Sequence, residues 1–173
     1  MKTPYPIYWP QFYTATIYQW KDLLKEDIFK DIIIESLQWL VSNKRIVLNG
    51  FVIMSNHIHT IWQPLGAFTP SYIQASFMKY TSRQLIRKLS ENESYLLGQF
   101  KVCKGDRVYQ IWKREPLGVE LFTSEVFCQK LDYIHNNPVK AGLCIAAEEY
   151  HYSSARFYEY GIDHFNMLSH YTG

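Results

Sequence analysis

The stretch Phe51–Trp62, FVIMSNHIHTIW, constrains the fold of this chain more than any other. An apolar run from Phe51 to Met54 meets Ser55-Asn56, which reads as a tight turn, and His57 to Trp62 returns as a second strand. Side chains two apart on a strand point the same way, with alpha-carbons roughly 6–7 Å apart. His57 and His59 therefore share one face, and Ile58 takes the other. Two imidazoles at that spacing can converge on one divalent ion, although two unrelated surface histidines on an edge strand would look the same.

The flanking segments supply the rest of a layered domain. Phe12 to Tyr18 reads as a first strand, and an amphipathic helix runs from about Asp22 to Val41. Ser42-Asn43 breaks that helix, Arg45 to Leu48 resumes as a strand, and Gly50 suggests a bulge or bend. Pro64-Leu65-Gly66 closes the hairpin, and Thr69-Pro70-Ser71 opens a second helix reaching about Leu89. Residues 90–107 read as a polar loop, Val108 to Lys113 as a strand, and Thr123-Ser124 as the cap of a third helix ending near Asn137-Pro138. The order β-α-β-β-α-β-α predicts an α+β fold, a ferredoxin-like antiparallel sheet with helices packed on one face. No linker divides the chain, so residues 1–173 form one domain, with a core over about 10–145 and an aromatic tail, 146–173, used for packing.

Composition narrows the function classes. A hydrophobic fraction of 47% with 20% charged residues excludes a disordered chain. Net charge is only +2, yet Lys79 to Arg114 holds nine Lys/Arg against three acids, a block able to follow a phosphate backbone or simply to form a solvated face. Three cysteines without C-x-x-C spacing argue against a disulfide framework or zinc ribbon and for a reducing compartment. With no signal-peptide pattern and no apolar run long enough to span a bilayer, the expected location is cytoplasmic, with no membrane partner.

A second segment bears on the histidine pair. With Phe127, Leu131 and Ile134 forming the apolar stripe of the third helix, Tyr133 lies well off that stripe beside Lys130 and Asn137. Tyr133 and Asn137, at i and i+4, project together. An Asn137 amide oxygen added to His57 and His59 makes a two-nitrogen, one-oxygen set with open positions, suited to Mg²⁺ or Mn²⁺, whereas a closed zinc site would want four protein ligands. Asn before Pro is also an ordinary helix terminator. With 14 Tyr in the chain, only position can single one out.

Taken together, these segments resemble the single-tyrosine HUH transposases, most closely the REP-associated tyrosine transposases. Phe51 to His59 looks like that family's apolar strand, Met-Pro-Asn turn and His-hydrophobe-His; Tyr133 to Leu143 looks like its tyrosine helix followed by Asn-Pro-Val-x-Ala-Gly-Leu. Tyr80-Thr81-Ser82-Arg83, Ile111-Trp112-Lys113-Arg114 and Tyr152-Ser153-Ser154-Ala155 follow in the family's order, so the likeness runs from about residue 10 to 160. The resemblance implies an HUH endonuclease fold, Tyr133 as nucleophile, and His57, His59 and Asn137 as ligands of Mg²⁺ or Mn²⁺. It implies cleavage and joining of single-stranded DNA at a hairpin through a 5′-phosphotyrosine, by a monomer or a homodimer. Lys79, Arg83 and Arg87 along one helix flank, with Lys113 and Arg114, are the candidate backbone contacts. Two departures stand out: Ser55 replaces the usual Pro, which should loosen the turn, and Glu115-Pro116-Leu117 replaces an acidic-histidine element. The competing class is a domesticated, non-catalytic DNA-hairpin binder.

Overall fold

The computed structural model describes residues 7–92 and 94–172. Its centre is a four-stranded antiparallel sheet in the order β2-β3-β1-β6, built from β1 (Gln11–Thr16), β2 (Ile46–Ile53), β3 (His57–Pro64) and β6 (Leu117–Glu120). The turn at Ser55-Asn56 is as tight as the sequence indicates, with Met54 N–H donating to the His57 carbonyl at 2.8 Å.

Ser55 does not loosen it. Its hydroxyl donates to Asp22 Oδ1 at 2.8 Å, and the Ser55 and Asn56 carbonyls accept from Leu24 N–H and Ile17 N–H. The turn that carries His57 is thus tied to the chain leaving β1 by three hydrogen bonds.

Helix α1 (Asp27–Ser42) begins later than its periodicity suggests, because Leu23–Lys25 forms a separate 3-10 turn. It packs with α2 (Pro70–Asn92) on one face of the sheet, where Ile33, Leu37, Ile73, Phe77 and Leu85 meet Tyr13, Ile58 and Trp62. Helix α4 (Ser124–Lys140) covers the opposite face, and Phe127, Leu131 and Ile134 pack on Phe12, Val52, Met54 and Ile61. Each of those buried stripe residues contributes about 1.5–3 kcal/mol. The antiparallel α+β arrangement is the expected one, but the helices pack on both faces of the sheet rather than on one, because α4 carries its own apolar stripe and has a face almost to itself.

A β-bulge at Asn49 makes that possible. The register slips between Leu48 and Gly50, so Leu48 and Phe51 face α1 and α2 while Gly50 turns toward α4. A Cβ on Gly50 would lie 2.8 Å from Leu131 Cδ1 and 3.2 Å from Ile134 Cδ1, so any larger residue there presses on the apolar stripe of α4.

Three further sequence expectations are corrected. Residues 90–92 and 94–107 are structured: α2 runs to Asn92, α3 (Ser94–Gly98) follows, and Leu97 and Phe100 enter the core before a small hairpin, β4 (Lys101–Lys104) and β5 (Arg107–Tyr109). The outer strand beside β1 is Leu117–Glu120, not Val108–Lys113, which contributes β5 and a single bridge from Trp112 to Ile17. Helix α4 also continues through buried Pro138 to Lys140; near a helix end the missing N–H costs one bond, and the last turn closes through Ala141 N–H to the Asn137 carbonyl. The aromatic C-terminal segment packs against the sheet. It lies along the free edge of β2, bridging Val52 to Ser153 and Leu48 to Leu168, and α5 (Ala155–Tyr160) sends the Tyr158 hydroxyl to the Asn49 carbonyl.

Candidate active site

His57 and His59 stand on the α4 face of β3, opposite Thr16 and Thr14 of β1. Their rings are 4.9 Å apart, centroid to centroid. His57 Nδ1 lies 2.7 Å from Asn56 Oδ1, an oxygen that can only accept, so Nδ1 carries the proton and Nε2 a lone pair. His59 Nδ1 lies 2.7 Å from Thr14 Oγ1, and with Nδ1–H donating there its Nε2 is likewise free. That Nε2 is buried without any partner. Burial lowers the affinity of both rings for a proton; at His59 burial first, then the charges of His57 and Lys130, push the imidazole down to about 3. Both rings are therefore neutral at ordinary pH, the state a metal ligand requires.

Across from them, Tyr133 projects from α4. Its ring is 46% exposed, 5.4 Å from His59 and 6.0 Å from Phe12, which itself stacks on His59 at 5.2 Å. Lys130 and Lys140 bring their ammonium groups to 5.9 and 6.0 Å from the Tyr133 ring centre. One turn along α4, Asn137 has its amide nitrogen buried without a partner. Rotating that amide by half a turn puts its oxygen in the same position. The chain thus folds a far-downstream tyrosine onto the histidine pair, which neither segment alone could specify.

Helix α4 is held in place by a buried link that spacing did not reveal. His135 Nε2 lies 2.8 Å from Ser154 Oγ, and Ser154 bonds both the N–H and the carbonyl of Phe51. Burial pushes His135 down to about 4, so this link works with a neutral ring.

The donor set fits a divalent cation. Two neutral imidazoles with lone pairs held by fixed Nδ1 partners, and an unpartnered buried amide, are what an open two-His, one-amide site needs. Among the described residues no group of three or more His, Cys, Asp or Glu offers a competing site.

The basic residues divide. Lys79, Arg83, Lys113 and Arg114 line one cleft of about 1000 Å³ between α2, the β4–β5 hairpin and residues 110–116. Lys104 and Arg107 of the hairpin join them, beyond the contact residues that the sequence indicates. Arg87 does not belong. Eight residues at 100° each overshoot two turns by 80°, and Arg87 instead donates to Glu91 at 3.0 Å and borders a separate hollow with Asp31 and Glu35.

Among known structures, a REP-associated tyrosine transposase bound to a REP hairpin superposes over 100% of this chain and 93% of its own, with a TM-score of 0.64 at 18% identity. This chain has the REP-associated tyrosine transposase fold. A provisionally named transposase from Deinococcus radiodurans R1 matches over 79% of this chain and 97% of its own, at TM-score 0.49 and 11% identity, too distant to bear on function. No family model matches the sequence, and no curated protein does either. Within the transposase fold, the Glu115 departure falls at the rim of the basic cleft, at a φ of 61°. No described helix is long and apolar enough to cross a membrane.

Proposed function

We propose that this chain is a transposase-like enzyme that nicks and rejoins single-stranded DNA at a hairpin, with Tyr133 as its nucleophile. The observation that carries the reading is the half-exposed Tyr133 ring 5.4 Å from His59, whose buried Nε2 has no partner. A tyrosine kept for packing would bury its ring, and a histidine kept for structure would use both nitrogens.

His57, His59 and Asn137 are the residues that would hold Mg²⁺ or Mn²⁺. Such an ion, when bound, supplies Lewis-acid polarisation of the scissile phosphate. The Tyr133 oxygen attacks phosphorus, the bond to the 3′-oxygen breaks, and a 5′-phosphotyrosine and a 3′-hydroxyl result. A second 3′-hydroxyl reverses the ester, so the bond energy is retained and no nucleotide is consumed. The ammonium groups of Lys130 and Lys140, 5.9 and 6.0 Å from the Tyr133 ring centre, favour the charge gathering on phosphate. Lys79, Arg83, Lys104, Arg107, Lys113 and Arg114 grip the backbone of the strand leading away.

The test is a denaturation-resistant adduct on labelled hairpin DNA drawn from the gene's own surroundings, in Mn²⁺. Formation that disappears with EDTA and in Tyr133→Phe is the expected result. An adduct retained by Tyr133→Phe refutes the nucleophile, and tight hairpin binding with no adduct moves the chain to the domesticated binders.

A further inference from the structure

Between β1 and α1 the chain makes a turn that core packing does not explain. Gln19 (φ 57°, ψ 26°) and Trp20 (φ 57°) are two successive non-glycine residues in the left-handed region. L-residues avoid that conformation, and pairs of them persist only where surrounding contacts insist. Here the contacts are Trp20 N–H to the Ile17 carbonyl at 2.9 Å and Ile17 N–H to the Asn56 carbonyl at 2.8 Å, which hang the turn from the histidine-bearing hairpin.

The strained backbone does not bury its tryptophan. Trp20 is 57% exposed, its indole 6.3 Å from the His57 ring, with Lys113 Nζ 5.8 Å from the indole centre. Lys113 in turn lines the basic cleft. A flat aromatic surface is therefore held in solvent between the histidine pair and the cationic groove. Other exposed aromatics, such as Trp9 and Trp39, instead meet Phe122 and Arg45.

We propose that Trp20 is a stacking platform for one unpaired base of the DNA strand, next to the phosphate engaged at His57, His59 and Tyr133. The proposal rests on that site taking single-stranded DNA. Every base has a π-face, so the platform fixes the position of the strand without reading its sequence, and Lys113 beside the ring faces the adjoining phosphate. The indole turns a groove that binds any polyanion into one that requires bases.

The experiment compares oligothymidylate with an abasic oligonucleotide of equal length, which keeps the phosphates and lacks the π-faces. Affinities are measured for the wild-type chain, Trp20→Ala and Trp20→Phe at one salt concentration. Trp20→Ala should weaken oligothymidylate binding about 5- to 150-fold while leaving the abasic strand unchanged, and Trp20→Phe should retain most of the preference. Equal loss on both strands, or none on either, overturns the proposal. The adduct assay separates it from the reading beneath it. Base-dependent binding lost in Trp20→Ala, with no adduct in the wild type, sinks the nicking enzyme and keeps the platform; an adduct without any base preference does the reverse.

Discussion

Replacing Gly50 with alanine tests whether the approach of α4 to the sheet governs the site. The new Cβ would sit 2.8 Å from Leu131 Cδ1, inside the 3.5–4.0 Å at which carbon atoms pack best by about 0.7–1.2 Å. Overpacking of that size costs about 1–3 kcal/mol, and losing a strand glycine returns about 0.5–1. The net destabilisation is then about 0–2.5 kcal/mol, or at most about 10 °C in Tm for a chain this long. Displacing α4 by about 1 Å carries Tyr133 from His59 by a similar amount, which is worth roughly 100-fold in rate. Activity should therefore fall much further than stability. Leu131→Ala alone opens a cavity costing about 2–5 kcal/mol. In the double variant the two changes fill one space, so their costs should sum to less than the parts by about 1–2 kcal/mol. Urea unfolding of the four proteins, with adduct-formation rates, completes the cycle. Additivity within about 0.5 kcal/mol, together with an unchanged rate in Gly50→Ala, would refute the reasoning.

Thr14→Val removes the partner of His59 Nδ1 and should weaken Mn²⁺ binding about 10- to 100-fold in a calorimetric titration, with little change in Tm. Lys79→Ala and Arg83→Ala should each reduce the slope of log affinity against log salt by about 0.7 on single strands, whereas Arg87→Ala, already paired with Glu91, should leave the slope alone. Acid should destabilise the metal-free protein through buried neutral histidines. His59 and His135 titrate at about 3 and about 4 when folded and at 6.5 when unfolded, so only the unfolded chain takes up protons between those values. Their contribution is complete above 6.5 and drains as pH falls toward the folded values, by about 1.4 kcal/mol per pH unit for each ring. Unfolding measured between about pH 7 and 5 in EDTA should show a shallower slope in His135→Gln; an identical slope would exclude His135 as a contributor.

The elements written in short-range periodicity were readable, and those written in three-dimensional context were not. Alternation on β3 was enough to put His57 and His59 on one face, and the Phe127–Leu131–Ile134 stripe was enough to place Tyr133 off the packed side of α4. Strand β6 was hidden because its residues are exposed on both faces, with no burial alternation to detect. The hairpin β4–β5 reads as a polar loop because its strands are mostly exposed, and Lys104 and Arg107 face the cleft rather than a core. Arg87 shared a sequence interval with Lys79 and Arg83, but the second step of four carries it about 80° from Lys79 and toward Glu91. The turn holding Trp20 was illegible for a different reason: its left-handed residues are not glycines, so no residue type marks it. The Ser154–His135 link joins β2, α4 and the C-terminal segment, and no local pattern announces a contact among three distant elements.

The strip laid along β2 also has a bearing on when the proposed site comes together. Residues 153 and 154, which secure α4 and close the sheet edge, lie downstream of both histidines and the tyrosine in chain order, and Leu168 and Ser169 close the edge later still. A nascent chain that has emerged as far as Lys140 holds every group of the proposed site but lacks the clasp that orients the helix. The proposed site is therefore one that assembles late, completed by a segment that follows all of its own side chains.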